Sequence, residues 1–338
     1  MRSPFEIGGQ RIAPGTRQTV DLPLGVMSNQ VPVAIPVHVV HGHGEGPTLF
    51  VSAAVHGDEV LGVEVIRRIL KHAGLGRLHG TLLAVPIVNT FGFINHSRYL
   101  PDRHDLNRCF PGSPNGSLAS QLAHLFMREV VARSQYGIDL HTGALHRSNL
   151  PQIRADFANP LTKPLVQVFG APVVVHATLR DGSLRQAARE RGVAVLLYEA
   201  GEALRMDELS IRVGVRGVLA MMATVGMLAA APPHTRPPPL LAHSSQWERA
   251  PRGGVFRRLR KLGDWVAAGE RLGVVADPFG EGEAQVLARA PGMLIGQSHL
   301  PVVNQGDALF HVAQLGDSDA SPDLLDRLEQ DLLPSEPD

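Results

Sequence analysis

Thr48-Leu-Phe-Val-Ser-Ala-Ala-Val55, followed directly by His56-Gly-Asp-Glu59, is the stretch of sequence that decides the fold. A short and continuous apolar run predicts a buried strand of a parallel sheet, and residues 59–73 have the pattern of an amphipathic helix. Ligands of open α/β sheets bind at the carboxyl ends of the strands. The stretch therefore predicts a sheet and a functional site at its edge.

The same alternation of apolar runs and helical stretches continues to about residue 228. It predicts an α/β fold with a mostly parallel or mixed sheet and helices on both faces. Residues 1–45 have alternating apolar positions and two prolines in one run, which predicts N-terminal edge strands. The predicted strands are 48–55, 81–88, 136–140, 173–176 and 193–198, and the predicted helices are 59–73, 117–134, 162–169, 183–191 and 206–227.

A change of composition predicts a second unit. Residues 231–245 are rich in proline, which predicts a semi-rigid linker after a catalytic domain that covers 1–230. Short strand-like runs separated by glycine-containing turns predict a small all-β domain over 246–316. Residues 317–338 are strongly acidic, and we expect a frayed tail there.

Composition excludes several classes of protein. The 338 residues include 32 basic and 32 acidic side chains, so the formal net charge is zero and we expect no nucleic-acid partner. No apolar run has the length of a bilayer span, and the N-terminus lacks the apolar core of a signal peptide. Cys109 is the single cysteine and cannot form an internal disulfide. We therefore expect a cytoplasmic protein without membrane contact.

His56, Glu59 and His141 form a candidate metal-binding set. His141 directly follows the predicted strand 136–140, so both histidines stand at strand ends that face one crevice. Two imidazoles and one carboxylate are the ligand set of catalytic zinc sites, which leave a fourth position open. The chain has 16 histidines, so a His-x-x-Glu pair alone can arise by chance. The position at strand ends favours the metal site, with one Zn²⁺ per chain.

Zinc-dependent hydrolysis also needs a general base that takes a proton from water and returns it to the leaving amine. Glu199 is the best candidate because it directly follows the predicted strand 193–198. Glu202 is a weaker rival for the same role. The alternative for Glu199 is a capping or surface carboxylate at a strand end.

The segment 90–116 is long, polar and rich in glycine and proline, which is typical of a functional loop. Asn107 and Arg108 suit recognition of an anionic group, and Arg98 could stabilise an oxyanion. The alternative is a polar loop held by internal Asp–Arg pairs. Composition does not choose between the two.

Four motifs in this order resemble the succinylglutamate desuccinylase/aspartoacylase family, a branch of the zinc carboxypeptidase-like hydrolases. The resemblance covers about residues 45–225 and rests on His56-Gly-Asp-Glu59, Asp105-Leu-Asn-Arg108, Asp139-Leu-His-Thr142 and Tyr198-Glu-Ala-Gly201.

The resemblance implies that the chain hydrolyses the amide bond of a small N-acyl amino acid or related N-acylated amine, and that it forms a dimer. It also implies a role for each matching residue: His56, Glu59 and His141 as zinc ligands, Glu199 as general base, Asn107 and Arg108 as substrate-carboxylate contacts, and Arg98 near the oxyanion.

Two questions stay open at this point. The aspartoacylase branch uses a further arginine for a second carboxylate. Here Arg185, Arg189 and Arg154 are candidates, although a surface position is favoured for each of them individually. The alternative functions are a zinc carboxypeptidase for short peptides and a catalytically inactive metal-binding or interaction protein. A retained base at Glu199 argues against the inactive protein.

Residues 246–316 resemble the barrel-sandwich fold of biotinyl and lipoyl domains. The resemblance rests on Pro251-Arg-Gly-Gly-Val-Phe256, Lys261-Leu-Gly-Asp-Trp-Val-Ala-Ala-Gly269 and Val302-Val-Asn-Gln-Gly-Asp-Ala-Leu-Phe310. Such domains carry a modifiable lysine on a hairpin, but residues 288–294 contain none. A carrier function is therefore disfavoured, and we expect this unit to shape the mouth of the active site.

Overall fold

The computed structural model describes residues 2–157, 160, 162–229 and 238–315. Over these residues the chain has an α/β fold whose C-terminal part is entirely β. The strands are β1 (Phe5–Ile7), β2 (Gln10–Ile12), β3 (Thr16–Val26), β4 (Pro32–His41), β5 (Gly44–Ala53), β6 (His79–Val85), β7 (Tyr136–Gly143), β8 (Arg147–Ala155), β9 (Val173–His176), β10 (Ala194–Glu202), β11 (Leu240–Arg249), β12 (Gly254–Arg258), β13 (Trp265–Val266), β14 (Arg271–Ala276), β15 (Glu283–Leu287), β16 (Gly292–Ser298), β17 (Val302–Val303) and β18 (Ala308–Leu315).

Six α-helices and three short 3₁₀ turns connect the strands within the described residues. The helices are α1 (Leu61–Ile69), α2 (Thr90–Ile94), α3 (Leu118–Glu129), α4 (Lys163–Phe169), α5 (Leu184–Glu190) and α6 (Glu208–Thr224), and the 3₁₀ turns are Ala73–Arg77, Leu106–Arg108 and Val131–Arg133.

One large mixed sheet holds twelve of the described strands, in the order β13-β16-β18-β11-β9-β8-β10-β7-β5-β6-β4-β3. Its centre is parallel: β10 pairs with β7, β7 with β5, and β5 with β6. The N-terminal strands β3 and β4 lie at one end of this sheet, with β3 as the edge strand, and β1 and β2 form a separate two-stranded sheet. The parallel strands bring their carboxyl ends to one side, where the candidate site lies.

Helices cover both faces of the sheet because the central strands are apolar on both sides. On β5, Leu49 and Val51 pack in one core with α1, α4 and α6, whereas Phe50 packs in the other core with α3 and α5. Strand β6 divides in the same way, with Leu82 on one side and Leu83 on the other. Successive side chains of a strand point to opposite faces, so a strand with a continuous apolar run is buried on both faces of the sheet.

All five strands and all five helices predicted between residues 48 and 228 are present, with ends that differ by a few residues. Strand β8 was not predicted. It begins Arg147-Ser-Asn149 and includes Gln152 and Arg154, so it lacks the apolar run that identified the other strands. It is nevertheless central, because its partners β9 and β10 supply the hydrogen bonds that hold it.

Four of the strands from residue 240 onward, β11, β13, β16 and β18, belong to the main sheet. Strand β11 runs parallel to β9, and β16 pairs with the first residues of β8, so β8, β9, β11, β18 and β16 form a closed ring. The smaller sheet β15-β14-β12-β17 packs over this part through a core of its own. Residues 240–245, predicted as part of the linker, are in β11 because they pair with β9 and β18. The remainder of that linker up to residue 237, and the acidic tail 317–338, lie outside the described residues.

Among the described helices, none combines the length and the apolar composition that crossing a bilayer requires.

Gly137 lies on β7 at a point of close approach that the fold depends on. A Cβ atom there would meet the buried Phe50 ring at 2.2 Å, and Phe50 packs edge-on against Phe126 with ring centroids 5.7 Å apart. We expect Gly137→Ala to lower the free energy of unfolding by about 1–3 kcal/mol, because the core must move to admit the methyl group. Urea denaturation measures this change.

Gly25→Ala is the matched control, since Gly25 is also a strand glycine but has open space around it. Its effect should stay within about 0.5 kcal/mol. Equal effects of the two substitutions would contradict the proposed packing at Gly137.

Candidate functional site

The loop after β5 places His56 and Glu59 in the interior of the protein. Ala54 takes a left-handed backbone conformation with φ 50°, which turns the chain sharply at the strand end. Only glycine fits at position 57, because a Cβ atom there would lie 2.0 Å from the backbone of Gly92 in α2. Strain and close backbone approach of this kind are concentrated at functional sites.

His56, Glu59 and His141 come together as predicted, with one potential ligand atom from each within 4.8 Å of the others. The Glu59 carboxylate lies between the two imidazoles. Its Oε1 is 2.8 Å from His56 Nδ1, and its Oε2 is 2.7 Å from His141 Nδ1. All three residues are buried, so the group is built by the fold rather than by a surface loop.

Each histidine turns its other ring nitrogen to a second carboxylate. His56 Nε2 lies 3.1 Å from Asp105 Oδ1, and His141 Nε2 lies 2.7 Å from Asp139 Oδ2. Asp139 in turn accepts a hydrogen bond from Ser52 Oγ at 2.8 Å. Carboxylate–histidine pairs of this kind fix the orientation of metal-binding imidazoles and leave Nδ1 for the metal.

The donor set fits a divalent metal ion. His56 Nδ1 is buried and has no aligned hydrogen-bond partner, although Glu59 Oε1 is close to it. Two imidazole nitrogens and a carboxylate, with no thiolate, are the ligands of catalytic zinc sites. The group therefore could hold a metal ion through His56 Nδ1, His141 Nδ1 and the Glu59 carboxylate.

Without a metal ion, the same atoms form a strongly coupled cluster of charges. Burial alone would raise the pKa of Glu59, but His56 and His141 beside it hold this pKa far below the ordinary value. The pKa of His141 is raised well above its usual range, because Asp139 and Glu59 outweigh the opposing effect of burial. Protons on the imidazoles therefore compete with a metal for Nδ1.

The segment 90–116 supplies three residues that line the same cavity. Arg98 donates to Glu59 Oε1 and to Asp105 Oδ2, both at 3.0 Å. The Asn107 amide oxygen accepts from the backbone N–H of Leu184 at 2.9 Å, so its amide nitrogen is the group left for a ligand. Arg108 is exposed at the cavity and donates to the Asn107 carbonyl oxygen, its one side-chain hydrogen bond to the described residues.

Glu199 stands directly beside His141 in the sheet. The two residues are register partners on the parallel strands β10 and β7, so their side chains leave the same face about one strand spacing apart, ~4.8 Å. Asn149 donates to Glu199 Oε2 at 2.7 Å, and Arg154 Nε lies 3.2 Å from Oε1. Glu202 instead accepts from His146 N and Ser148 Oγ and does not line the cavity.

The cavity has a volume of about 750 Å³ and extends from the His56–Glu59–His141 group across β10 and β8 to β11. Arg154 and Arg185 line it, whereas Arg189 lies at the surface and pairs with Asp156. Burial, together with nearby Arg154, lowers the pKa of Arg185 to about 10. The sequence alone does not distinguish Arg185 from Arg189 as the arginine that lines the cavity.

Several residues of the site were missed by the sequence analysis. Asp105 and Asp139 lie inside the motifs Asp105-Leu-Asn-Arg108 and Asp139-Leu-His-Thr142. Each aspartate stands two residues before a predicted site residue, and this spacing is the sequence signal that could have identified it. Other lining residues come from β8, which was not predicted, or from strands and loops distant in sequence, and the chain gives no local signal for them: Arg147, Asn149, His176, Arg180, His243 and Trp247.

Residues 45–225 match the model of the succinylglutamate desuccinylase/aspartoacylase catalytic domain. The N-alpha-acetyl-L-2,4-diaminobutyric acid deacetylase of Halomonas elongata is 28% identical over 299 residues, which are 85% of this chain and 87% of that protein.

Solved structures are similar to this chain over most of its length. A succinylglutamate desuccinylase/aspartoacylase from Rhodobacter sphaeroides superposes with a TM-score of 0.80 at 25% identity, over 89% of this chain and 96% of the other. The ectoine utilization protein EutE (DoeB) of Ruegeria pomeroyi, in its product-bound structure, superposes with a TM-score of 0.78 at 24% identity, over 88% and 94% of the two chains, and shares the fold. The chain therefore belongs to the succinylglutamate desuccinylase/aspartoacylase family and, with it, to the hydrolases of amide bonds.

Proposed function

We propose that the chain is a zinc-dependent deacylase that hydrolyses the amide bond of a small N-acyl amino acid or a related N-acylated amine. One observation carries the proposal. A His–Glu–His group that fits zinc lines one cavity together with a second carboxylate, that of Glu199, which is the register neighbour of His141. The deacetylase from Halomonas elongata, which acts on a small N-acetylated amino acid, supports the same substrate class.

The residues divide the chemistry between them. Zinc bound to His56, Glu59 and His141 would lower the pKa of water and polarise the scissile carbonyl. Glu199 accepts the proton of the attacking water and returns it to the departing amine nitrogen, so that the amide becomes a carboxylate and a free amine.

Asn149 and Arg154 hold the Glu199 carboxylate from both of its oxygens, which fixes its direction. Arg98 contributes positive charge beside the metal ligands, where a developing oxyanion is stabilised.

The substrate carboxylate binds at Asn107 and Arg108 in this proposal. Both residues line the cavity, and Arg108 has a guanidinium fork that matches a carboxylate. We also propose that Arg185 and Arg154 contact the substrate.

We propose a catalytic domain within residues 1–230 and a barrel-sandwich unit that consists of the C-terminal strands from β11 onward. Side chains of β11 such as His243 and Trp247 line the cavity, which supports a role for the C-terminal region in shaping it.

Glu199→Gln tests the general base. We expect kcat for release of the amine to fall about 10²- to 10⁴-fold, because the amide cannot take the proton from water. The substitution keeps the shape of the side chain, so zinc content and the melting temperature should stay unchanged. The measurement is the initial rate of primary-amine release from N-acetyl and N-succinyl amino acids, with zinc content measured on the same samples.

Glu202→Gln is the matched control on the same strand. We expect less than a tenfold change in rate, since Glu202 lies outside the cavity. A Glu199→Gln protein that retains full activity would refute the assignment of the base. Cleavage of short peptides in preference to N-acyl amino acids would favour the carboxypeptidase alternative.

Asp139→Asn tests the metal site without removing a ligand. The Asp139 carboxylate orients His141, and loss of such a partner typically weakens metal affinity about 10- to 100-fold. Competition with a zinc chelator measures the affinity. Asp102→Asn is a control on a carboxylate that contacts His104 and Ala119 instead, and it should leave the affinity unchanged. Equal affinities of wild type and Asp139→Asn, or no zinc uptake at all, would contradict the assigned site.

A further inference from the structure

Strand β10 loses its regular pairing where it carries Glu199. Its register shifts between Glu199 and Glu202 against β7, and between Glu199 and Gly201 against β8. Gly201 lies in this stretch with φ 70°, a left-handed conformation that favours glycine. Irregular pairing of this kind redirects side chains next to active sites, but it removes ladder hydrogen bonds that would hold the backbone. Other contacts must therefore fix residues 199–202.

Residues at the start of β8 supply those contacts. Asn149 donates to Glu199 Oε2 at 2.7 Å at one end of the stretch. At the other end, the Glu202 carboxylate accepts from the backbone N–H of His146 at 3.0 Å and from Ser148 Oγ at 3.2 Å. Residues 146–149 thus hold both ends of the stretch, and the direction of the Glu199 carboxylate depends on where they lie.

His299, which directly follows β16, fixes residues 146–149 in turn. Its backbone N–H donates to His146 O at 2.8 Å, and its Nε2 lies 2.7 Å from Ser148 Oγ. Its side chain is half-buried and does not line the cavity of the candidate site. A residue of the C-terminal region is therefore attached to the segment that holds Glu199, without reaching the cavity itself.

Arg258 on β12 determines which ring nitrogen of His299 carries the proton. Its Nη1 lies 3.1 Å from His299 Nδ1, and a guanidinium can only donate, so Nδ1 accepts and the proton is on Nε2. Nε2–H then donates to Ser148 Oγ, which leaves the serine hydroxyl proton for Glu202. Burial lowers the pKa of His299, although Glu202 nearby opposes this effect, so the imidazole is neutral at physiological pH.

We propose that His299 is a positioning residue for the general base. By holding Ser148, it keeps residues 199–202 of β10, and with them the Glu199 carboxylate, in the direction that the attacking water requires. This inference rests on the proposed deacylase function. It gives the C-terminal region a part in the chemical step that is separate from its contribution to the cavity wall.

The kinetics of His299→Leu and His299→Gln test the proposal. Leucine has no polar side-chain atom, so we expect kcat for amine release to fall about tenfold, because small displacements of a catalytic group are costly. KM should change less than about twofold, since Asn107 and Arg108 lie on another segment. Glutamine can donate to Ser148 and accept from Arg258 through its amide, and it should restore kcat to within about threefold.

His299→Leu in the Glu199→Gln background separates positioning from a general structural effect. If His299 acts through the base, this substitution should cause no further loss of rate once Glu199 is replaced. Zinc affinity, measured by competition with a chelator, should equal that of the wild type, because the three metal-binding residues make no hydrogen bond with His299 or Ser148.

Ser148→Ala removes one hydroxyl and leaves the backbone contact of His299 intact. We expect the same loss of kcat as in His299→Leu, and no larger loss when the two substitutions are combined. This variant decides the matter if His299→Leu does not fold.

Arg258→Met and Arg257→Met form a matched pair on β12. Loss of the Arg258 donor allows the His299 imidazole to change its tautomer, so kcat should fall several-fold. Arg257 is exposed and makes no hydrogen bond to His299, and its replacement should leave kcat unchanged. Glu202→Gln retains an oxygen that can accept from Ser148, which is why its effect should stay below about tenfold.

Three results would overturn the proposal: an unchanged kcat in His299→Leu and Ser148→Ala, an equal loss of rate in the Glu199→Gln background, or a His299→Gln protein as slow as His299→Leu. A wild type that hydrolyses no N-acyl amino acid would instead count against the deacylase function. Crystal structures of zinc-loaded wild type and Ser148→Ala would then decide the positioning, because the contact between Asn149 and Glu199 should be lost in the variant. Its retention there would overturn the proposal as well.

Discussion

The buried carboxylate of Glu59 is the interaction on which the rest of the site depends. It is 2% exposed, and it contacts the imidazoles of His56 and His141, the guanidinium of Arg98 and the backbone N–H of Thr142. A buried charge without such partners would cost several kcal/mol, on the order of the whole stability of a domain. The loop after β5, the end of β7 and the segment 90–116 must therefore meet at one point.

Asp105 extends this arrangement from the metal-binding group to the substrate side. Its carboxylate contacts His56 and Arg98, and it also accepts from the backbone N–H of Asn107 at 2.9 Å. A single side chain thus links the orientation of a metal-binding histidine to the turn that presents Asn107 and Arg108. Any shift of that turn changes the geometry at His56 as well.

The sequence predicted the parts of the site that stand at the ends of apolar strands. His56, His141 and Glu199 each follow an apolar run. An apolar run of this kind is buried on both faces, and it therefore predicts a central strand of the sheet. Strand β8 could not be predicted from the sequence, because it has no apolar pattern. Its polar residues are in a strand because β9 and β10, which lie further along the chain, pair with it. Arg185 and Arg189 are four residues apart on one helix, so they share a face and periodicity cannot separate them. Their distance from the helix start separates them, because Arg185 lies in the first turn of α5, which faces the cavity, and Arg189 lies in its last turn.

The closed ring of β8, β9, β11, β18 and β16 also bears on how this protein can be divided. Residues 45–225 include β8 and β9 but none of the three strands that complete the ring. A chain cut after α6 would expose the backbone of β9 along its outer side, together with the first residues of β8. Unpaired strand edges of this kind attract other chains and promote aggregation. The catalytic segment and the C-terminal strands are thus expected to be gained, lost or exchanged together, and neither part is a module that could be transplanted alone.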